Sequence, residues 1–281
     1  MIVCYAAGDG LGHLTRLRAV LHTLRVDGPV TVVTSSPFAD DPRVTGDWKI
    51  VPSLEGIDAD EVFVDAFPAG LKGELARVPS GARLTHLARL LRWDAYKPLL
   101  PADPLRFDRT FVLEPLAPAH HSYLRDVSAE LSPLVLVDPP AEPIDVDGWL
   151  IVHSGPDAET RELVAYARDM ASIEGVHPPM TLVSPRRPDG LPPEAAHLDA
   201  YPACAPGPNV ERIVTAAGFN AVRQFAPWRD IHRLMPFPRS LDDQFTRAAR
   251  ARATGPSPDP LAGIISRPSM PRPGGRPRNS A

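Results

Sequence analysis

The sequence predicts an α/β protein built from two Rossmann-like domains. Short apolar runs alternate with stretches of helical periodicity along most of the chain, which is typical of parallel sheets whose strands are joined by helical crossovers. A glycine-rich loop follows the first apolar run, and a proline-rich acidic stretch near the middle separates two such series. We therefore expect two domains of the same architecture.

The first series opens with "MIVCYAA", residues 1–7, a continuous apolar run bounded by glycines. Such a run is typical of a strand buried on both faces, and "LTRLRAVLHTLR" after it has apolar residues at helical spacing. Short β-rich runs follow at residues 30–35, 49–53, 62–67, 109–114 and 133–138. Together these elements predict an N-terminal domain over residues 1–140.

A proline-rich acidic stretch, "DPPAEPIDVDG" at residues 138–148, predicts a linker. A second series follows, with strands at "WLIVHSG", "MTLVS" and "RIVTAAG", a helix at "DAETRELVAYARDMA", and helices from about Phe219 and from about Asp242. We expect these to form a C-terminal domain over residues 141–253. Residues 254–281 are rich in proline, glycine, serine and arginine, which predicts a disordered C-terminal tail.

The composition limits the classes of function. A formal net charge of −4 and a pI near 6.1 give no general electrostatic reason to bind nucleic acid. Cys4 and Cys204 lie far apart in the sequence and suggest neither a disulfide framework nor a cysteine metal site. We see neither a basic leader nor an apolar run approaching the about 18 residues of a membrane-spanning helix. We expect a cytoplasmic protein with no nucleic-acid partner.

The segment "GDGLGH", residues 8–13, follows the first predicted strand and precedes a predicted helix. Such a loop brings backbone N–H groups and the positive end of a helix dipole together, which favours an anion such as phosphate. The loop lacks the lysine and hydroxyl residue of a P-loop, and His13 stands where a dinucleotide fingerprint has its third glycine. A tight turn without a ligand is the alternative interpretation.

His13 is expected in the first turn of that helix. The helix dipole disfavours an imidazolium there and so lowers the pKa of the ring, which leaves a neutral imidazole that can accept a proton near pH 7. The position also lies at the carboxyl edge of the predicted sheet, where α/β proteins bind their ligands. We predict that His13 is a general base.

Two motifs carry a resemblance to a known family: "GDGLGHLTR" near the start and "ERIVTAAGFNAVRQFAPWRDIHRLMPFPRSLDDQFTRAARA" near the end. Together they resemble the two-domain glycosyltransferases of the GT-B type, in particular the MurG-like, family 28-like branch. The resemblance covers most of residues 1–252. It implies two Rossmann-like domains that face each other across a cleft, and a metal-independent transfer from a nucleotide sugar, UDP-linked and with no further cofactor. The acceptor hydroxyl would belong to a lipid-linked or a small molecule.

The resemblance also implies roles for individual residues. His13 would deprotonate the acceptor hydroxyl or stabilise charge near the donor phosphates. The implied donor-binding positions are Gly10, Gly12, Ser154, Gly155, Gly218, Phe219, Asn220, Gln224, Asp242, Asp243 and Gln244. Residues 154–155 and 218–220 would approach the diphosphate, and residues 242–244 the transferred sugar. Asp242 would equally suit the N-terminus of a helix.

Gln224 departs from the family pattern, because the family usually has a glutamate there that binds the ribose hydroxyls. An amide loses the charge-assisted strength of a carboxylate, which leaves open a weakly active or inactive nucleotide-sugar-binding protein. A sugar-nucleotide epimerase of the same architecture is another alternative. A nicotinamide-dependent enzyme would need the third glycine and an acidic residue after the second strand, both of which are absent from this sequence.

Weaker signals lie elsewhere in the first domain. Asp65 and Glu74, in "DAFPAGLKGEL", would shape the acceptor side of the cleft or belong to an ordinary strand-to-helix connection. Residues 83–100 have leucines at helical spacing and basic residues elsewhere. They predict a core-facing helix, with peripheral contact at the inner face of the membrane as the alternative. No metal site is predicted, since His120 and His121 lack a partner at metal-ligand spacing. His153 is interpreted as the end of a strand.

Overall fold

The computed structural model describes residues 1–200 and 205–253, and both the predicted tail at residues 254–281 and Cys204 lie outside the described residues. In chain order its helices and strands are β1 (Ile2–Tyr5), α1 (Leu11–Thr23), β2 (Val30–Val33), α2 (Pro42–Thr45), β3 (Lys49–Val51), β4 (Glu61–Asp65), β5 (Arg83–Ala88), α3 (Trp93–Tyr96), β6 (Phe107–Val112), α4 (Pro118–Val127), β7 (Ser128–Pro133), β8 (Gly148–Val152), α5 (Asp157–Glu174), β9 (Met180–Val183), β10 (Ala195–Leu198), β11 (Val210–Ala216), α6 (Phe219–Gln224), β12 (His232–Met235) and α7 (Gln244–Ala253).

The strands form two parallel sheets. The first has the order β3-β2-β1-β4-β5-β6-β7 and the second β10-β9-β8-β11-β12. In each sheet the chain first builds outward from its first strand and then returns to the other side of it, so the strand order reverses between β1 and β4 and between β8 and β11. Ligands of such sheets bind outside the carboxyl ends of the strands at these switch points. The chain therefore contains two Rossmann-like units, as predicted.

Helices cover the sheets because strands such as β1, β2 and β8 are largely apolar on both faces. Leu14, Leu17 and Val20 of α1 pack in one cluster with Val32 and Phe63 of the first sheet. The other face of that sheet buries a second cluster that includes α4. In the second unit the apolar side of α5 packs against β8 and β9. Burial on both faces explains why these strands have continuous apolar sequences without polar alternation.

The prediction of a helix over residues 83–100 is wrong. Residues 83–88 form β5, which pairs with β4 on one side and β6 on the other, and only Trp93–Tyr96 is α-helical. Leucines at a spacing of three and four also fit a strand that is buried on both faces, and here five of the six strand residues are buried. Pairing on two sides outweighs the helical pattern, and the basic amphipathic helix that suggested membrane contact does not form.

The predicted strand at residues 133–138 is displaced. The edge strand β7 lies at Ser128–Pro133 instead, with a largely polar sequence whose residues are half-buried or exposed. An edge strand needs little apolar sequence because one of its sides faces solvent. Strands β10 and β12, which are the two edge strands of the second sheet, were likewise absent from the prediction.

Candidate functional site

A cleft of about 270 Å³ lies between the two units, close to the lower end of the volumes of ligand pockets. It is lined from both sides, at the carboxyl ends of β1, β8 and β11. The predicted site residues that line it are Gly12, His13, Ser154, Gly218, Phe219, Asn220, Gln224, Asp242 and Gln244. Those that contribute no lining are Gly10, Asp65, Glu74, Gly155 and Asp243.

His13 lies in the first turn of α1, bound to a buried carboxylate. Its Nδ1 is 2.6 Å from Oδ2 of Asp65, the last residue of β4. Arg16, one turn further along α1, binds the same carboxylate through two nitrogens: Nε lies 2.6 Å from Oδ1, and Nη2 lies 2.5 Å from Oδ2. The three side chains form a buried histidine–carboxylate–arginine set that spans the switch point between β1 and β4.

The carboxylate of Asp65 determines the proton position on His13. Burial raises the pKa of Asp65, but the Arg16 ion pair and the His13 hydrogen bond outweigh it and hold the pKa well below its usual range. An ionised Asp65 accepts a hydrogen bond from Nδ1–H, so the neutral ring carries its lone pair on Nε2. This is the tautomer that a general base needs.

The pKa of His13 is lowered, mainly because the ring is buried. The positive charges of Arg16 and Arg89 lower it further, and the contacts with Asp65 oppose the shift. The direction agrees with the prediction from sequence. The cause differs, because the prediction invoked the helix dipole. The ring is therefore neutral near pH 7 as a result of its burial and its cationic neighbours.

The backbone around this set is tightly fitted. A Cβ atom on Gly8 would lie 2.4 Å from Nε2 of His13, so glycine is required at that place. Directly after Asp65 the chain turns through Ala66, a buried non-glycine residue with φ of 63°. Such a conformation costs about 1–3 kcal/mol and is kept only where the surroundings impose it.

The turn at residues 218–220 contacts the first unit. Asn220 Nδ2 donates to the Gly12 carbonyl at 2.8 Å, and the Arg16 guanidinium lies 5.6 Å from the centre of the Phe219 ring. The side chain of Asn220 thus holds the start of α6 against the start of α1. The predicted donor-binding turn and the glycine-rich loop are brought together at one end of the cleft.

Gln224 is held by an acidic residue of the connecting segment. Its Nε2 donates to Asp138 Oδ1 at 3.1 Å, and Arg223 binds both oxygens of the same carboxylate at 2.7 and 2.8 Å. The side chain of Gln224 still has a second N–H on Nε2 and the oxygen Oε1, which can accept a hydrogen bond in the cleft.

The predicted sugar-binding residues 242–244 have other partners. Asp242 binds Arg89 of the first unit and Arg247 of α7, and Arg247 also holds Glu114 at 2.8 and 2.9 Å. Asp243 Oδ1 accepts from the backbone N–H of Thr246 at 3.0 Å, as an N-cap does. Oε1 of Gln244 accepts from the backbone N–H of Phe237 at 3.0 Å. These contacts join the two units and begin α7.

Glu74 contributes to a loop beside the first unit. It accepts hydrogen bonds from the Tyr5 hydroxyl and from the backbone N–H groups of Leu71 and Lys72, at 2.5, 3.1 and 2.6 Å. A Cβ on Gly70 would lie 2.6 Å from its carboxyl carbon. These contacts order the loop that follows Asp65, away from the cleft lining.

Several basic side chains at the cleft were not predicted as site residues. Arg16, Arg89, His153 and Arg239 line it, and Glu159 supports two of them. One signal was available for Arg16, since its spacing of three from His13 places both on one face of a helix. The others come from distant parts of the chain and meet only after folding.

The part of the chain that the structure describes contains neither a helix that could span a membrane nor a cluster of side chains that could hold a metal ion. Across residues 1–200 and 205–253, no helix combines the length and the apolar character needed to cross a membrane. Over the same ranges, no three or more His, Cys, Asp or Glu side chains are grouped so that they could hold a metal ion.

Comparison with known proteins gives little about the family. No family model and no curated protein matches the chain. A solved structure described as "Crystal Structure Analysis of the Glycotransferase of kitacinnamycin" is similar with a TM-score of 0.45 and 14% identity, over 91% of this chain and 91% of that chain. At that level the similarity carries no inference about activity, and the proposed function rests on the cleft.

Proposed function

We propose that the protein is a glycosyltransferase that moves a sugar from a nucleotide-sugar donor to an acceptor hydroxyl without a metal ion. One observation carries this proposal: a neutral histidine, oriented by a buried carboxylate and arginine, lines a cleft between two Rossmann-like units at their switch points. The arrangement provides a base for a hydroxyl and a place for a nucleotide.

In the proposed reaction, His13 acts through Nε2. The acceptor hydroxyl gives its proton to Nε2 as its oxygen bonds to the anomeric carbon of the sugar. The bond between that carbon and the diphosphate oxygen breaks, and the electron pair leaves with the nucleoside diphosphate. Asp65 stabilises the imidazolium that forms at His13, in the way a triad carboxylate supports its histidine.

The donor would bind mainly to the second unit. We propose that the backbone at Ser154, Gly155 and the turn at Gly218–Asn220 approaches the diphosphate, and that Gln224 Oε1 accepts from a hydroxyl of the ribose. We further propose that the donor is UDP-linked and that the acceptor is MurG-like, either lipid-linked or a small molecule. In this proposal residues 1–140 form the domain on the acceptor side and residues 141–253 the domain on the donor side. The protein would act in the cytoplasm.

The charges in the cleft favour transfer over epimerisation. An epimerase would need a carboxylate free to move protons at a sugar carbon. Within the described residues, the acidic side chain that lines the cleft is Asp242, and both of its oxygens are engaged by Arg89 and Arg247. Arg89 and Arg247 also lower the pKa of Asp242 to about 2 although burial raises it, which makes Asp242 a poor acid.

A panel of nucleotide sugars tests the proposal. We expect one donor to raise the melting temperature of the full chain and to be slowly hydrolysed in the presence of EDTA. His13→Ala should bind that donor and lose its turnover, whereas His177→Ala, which changes an exposed histidine, should behave as the wild type. Binding of no nucleotide sugar would contradict the transferase proposal, and binding without turnover by the wild type would favour the inactive binding protein.

A further inference from the structure

A second histidine–carboxylate–arginine set lies on the opposite wall of the cleft. His153 directly follows β8, and its Nε2 is 3.2 Å from Glu159 Oε2. Arg239 binds both oxygens of that carboxylate through Nη1 and Nη2. Burial raises the pKa of Glu159, but His153 and Arg239 outweigh it and lower the pKa to about 2, so the carboxylate is ionised.

The two sets lie near the switch points of their sheets and are built from different elements. His13 is on the helix after β1 and its carboxylate ends β4, whereas His153 directly follows β8 and its carboxylate is on α5. Each ring has a glycine against it. A Cβ on Gly155 would lie 2.4 Å from Nε2 of His153, as one on Gly8 would from Nε2 of His13. They differ in the nitrogen that faces the carboxylate, which is Nδ1 in His13 and Nε2 in His153.

The second set keeps hydrogen-bonding capacity for a ligand. Nε2 of His153 donates to Glu159, and Nδ1 has no partner among the described residues. Arg239 uses Nη1 and Nη2 on Glu159 and Nη1 on the Pro238 carbonyl, which leaves its Nε–H and one Nη2–H without a described acceptor. His153 and Arg239 both line the cleft.

We propose that His153 and Arg239 together bind the diphosphate of the donor and stabilise it as it leaves. This inference rests on the proposed function. When the bond between the anomeric carbon and the diphosphate oxygen breaks, the electron pair stays on that oxygen, while the proton of the acceptor stays on His13. A His153 ring with protons on both nitrogens would donate Nδ1–H to the phosphate, and Arg239 would donate beside it.

The charges around His153 suit an anion. The groups that face it are Glu159 from α5 and Arg239 from the segment before α7, with Asp242 near Arg239. The charges of Glu159 and Arg239 offset each other, and a second proton on the His153 ring would give the set a net positive charge when a phosphate binds. Charge-assisted hydrogen bonds of this kind stabilise developing negative charge without a metal ion.

Inorganic pyrophosphate is the probe that separates this inference from the proposed reaction. Its dissociation constant is measured by calorimetry on the full chain. His153→Gln keeps an amide that can donate to Glu159 and lacks Nδ1, and it should weaken binding by at least about tenfold. Arg239→Gln should weaken it by a similar factor, and His177→Gln, a change at the exposed control histidine, should leave it unchanged.

A measurement on the unmodified chain covers the case in which the variants fail to fold. In histidine side-chain ¹⁵N NMR, pyrophosphate should shift the Nδ1 resonance of His153 and leave that of His177 in place. Equal pyrophosphate affinity of wild type and His153→Gln, an unmoved His153 resonance, or no binding of pyrophosphate would each overturn this inference. None of these three results would affect donor hydrolysis that depends on His13. A failure of this inference is therefore distinguishable from a failure of the proposed function.

Discussion

At the scale of single residues, the reactivity of the cleft depends on which ring nitrogen of His13 is free. Asp65 takes Nδ1 and Arg16 holds Asp65 by two bonds, so Nε2 is the atom that can accept a proton. Asp65 was predicted from sequence only as a weak acceptor-side residue. Its partnership with His13 joins residues 52 positions apart, and no local pattern in the sequence reports such a pairing.

The close contact between Gly8 and His13 gives a prediction. In Gly8→Ala, the added methyl group would lie 2.4 Å from Nε2 and displace the ring. Because a misplacement of about 1 Å can cost about a hundredfold in rate, we expect donor turnover to fall by that order. Gly28→Ala is the matched control, since Gly28 also has a positive φ, of 108°, but no atom within 4 Å of the added carbon. Equal turnover in both variants would contradict the assigned role of Nε2.

The buried histidines of the first unit predict sensitivity to acid. Burial lowers the pKa of His86 to about 4 and that of His120 to about 3. The unfolded chain binds protons on both rings below about pH 6.5 and the folded chain does not, so stability is fully present above that pH and falls as the pH drops towards the lowered values.

His120→Phe tests this dependence. The His120 ring stacks on Trp93, with ring centres 4.3 Å apart, and both of its nitrogens are buried without a partner among the described residues. Phenylalanine keeps the stacking and does not titrate. The loss of unfolding free energy between pH 7.5 and 5.5, measured in urea, should shrink by about 1 kcal/mol. An unchanged loss would show that His120 is not the titrating group.

At the scale of elements, the sequence pattern predicted most of the buried strands, the long helices and the edge strand β3; it missed β5, β10 and β12 and displaced β7. The elements confirmed near the predicted positions are β1, α1, β2, β3, β4, β6, β8, α5, β9, β11, α6 and α7. The signal is strongest where an element is apolar over its buried surface, as in β1, β2 and β8. β7 has a polar sequence and pairs only with β6 among the described strands, so no apolar run in the sequence indicates that it is a strand. The prediction of a helix over residues 83–100 was wrong because the leucines there fit the spacing of a helix and also that of a strand buried on both faces.

The N-terminal cap of α7 predicts how substitutions of Asp243 change the stability of the protein. Asp243 was predicted to contact the sugar, and in the structure it caps α7 by accepting from the Thr246 N–H. Asp243→Ala should lower the free energy of unfolding by about 1 kcal/mol, and Asp243→Ser, which can also cap, should lower it by much less. Urea unfolding of the two variants measures this difference. Equal loss in both would contradict the capping role.

At the scale of the whole molecule, the two units meet through charged contacts around the cleft. Arg247 of α7 binds Glu114 of the first unit, Asp242 binds Arg89, and Asn220 binds the Gly12 carbonyl. Burial would lower the pKa of Arg247, but its two carboxylate partners raise it above its usual range, so it stays charged. These contacts set the switch points of the two sheets on opposite sides of one cleft.

The arrangement of the units was predictable only in outline. The repeated βα series indicated two similar units, and the resemblance implied that they face a cleft. The residues that join them, Arg89, Glu114 and Arg247, lie in stretches that look like ordinary helix or strand ends. Sequence alone could not place them together, because each contact spans more than a hundred residues.

The turnover of His13→Ala, at a saturating concentration of the donor that stabilises the wild type, shows directly whether His13 is the base. Release of nucleoside diphosphate is followed with water as the acceptor. We expect kcat to fall by about a hundredfold or more, as for loss of a general base, while the Kd of the donor changes by less than about threefold. An unchanged kcat in His13→Ala would show that His13 is not the base.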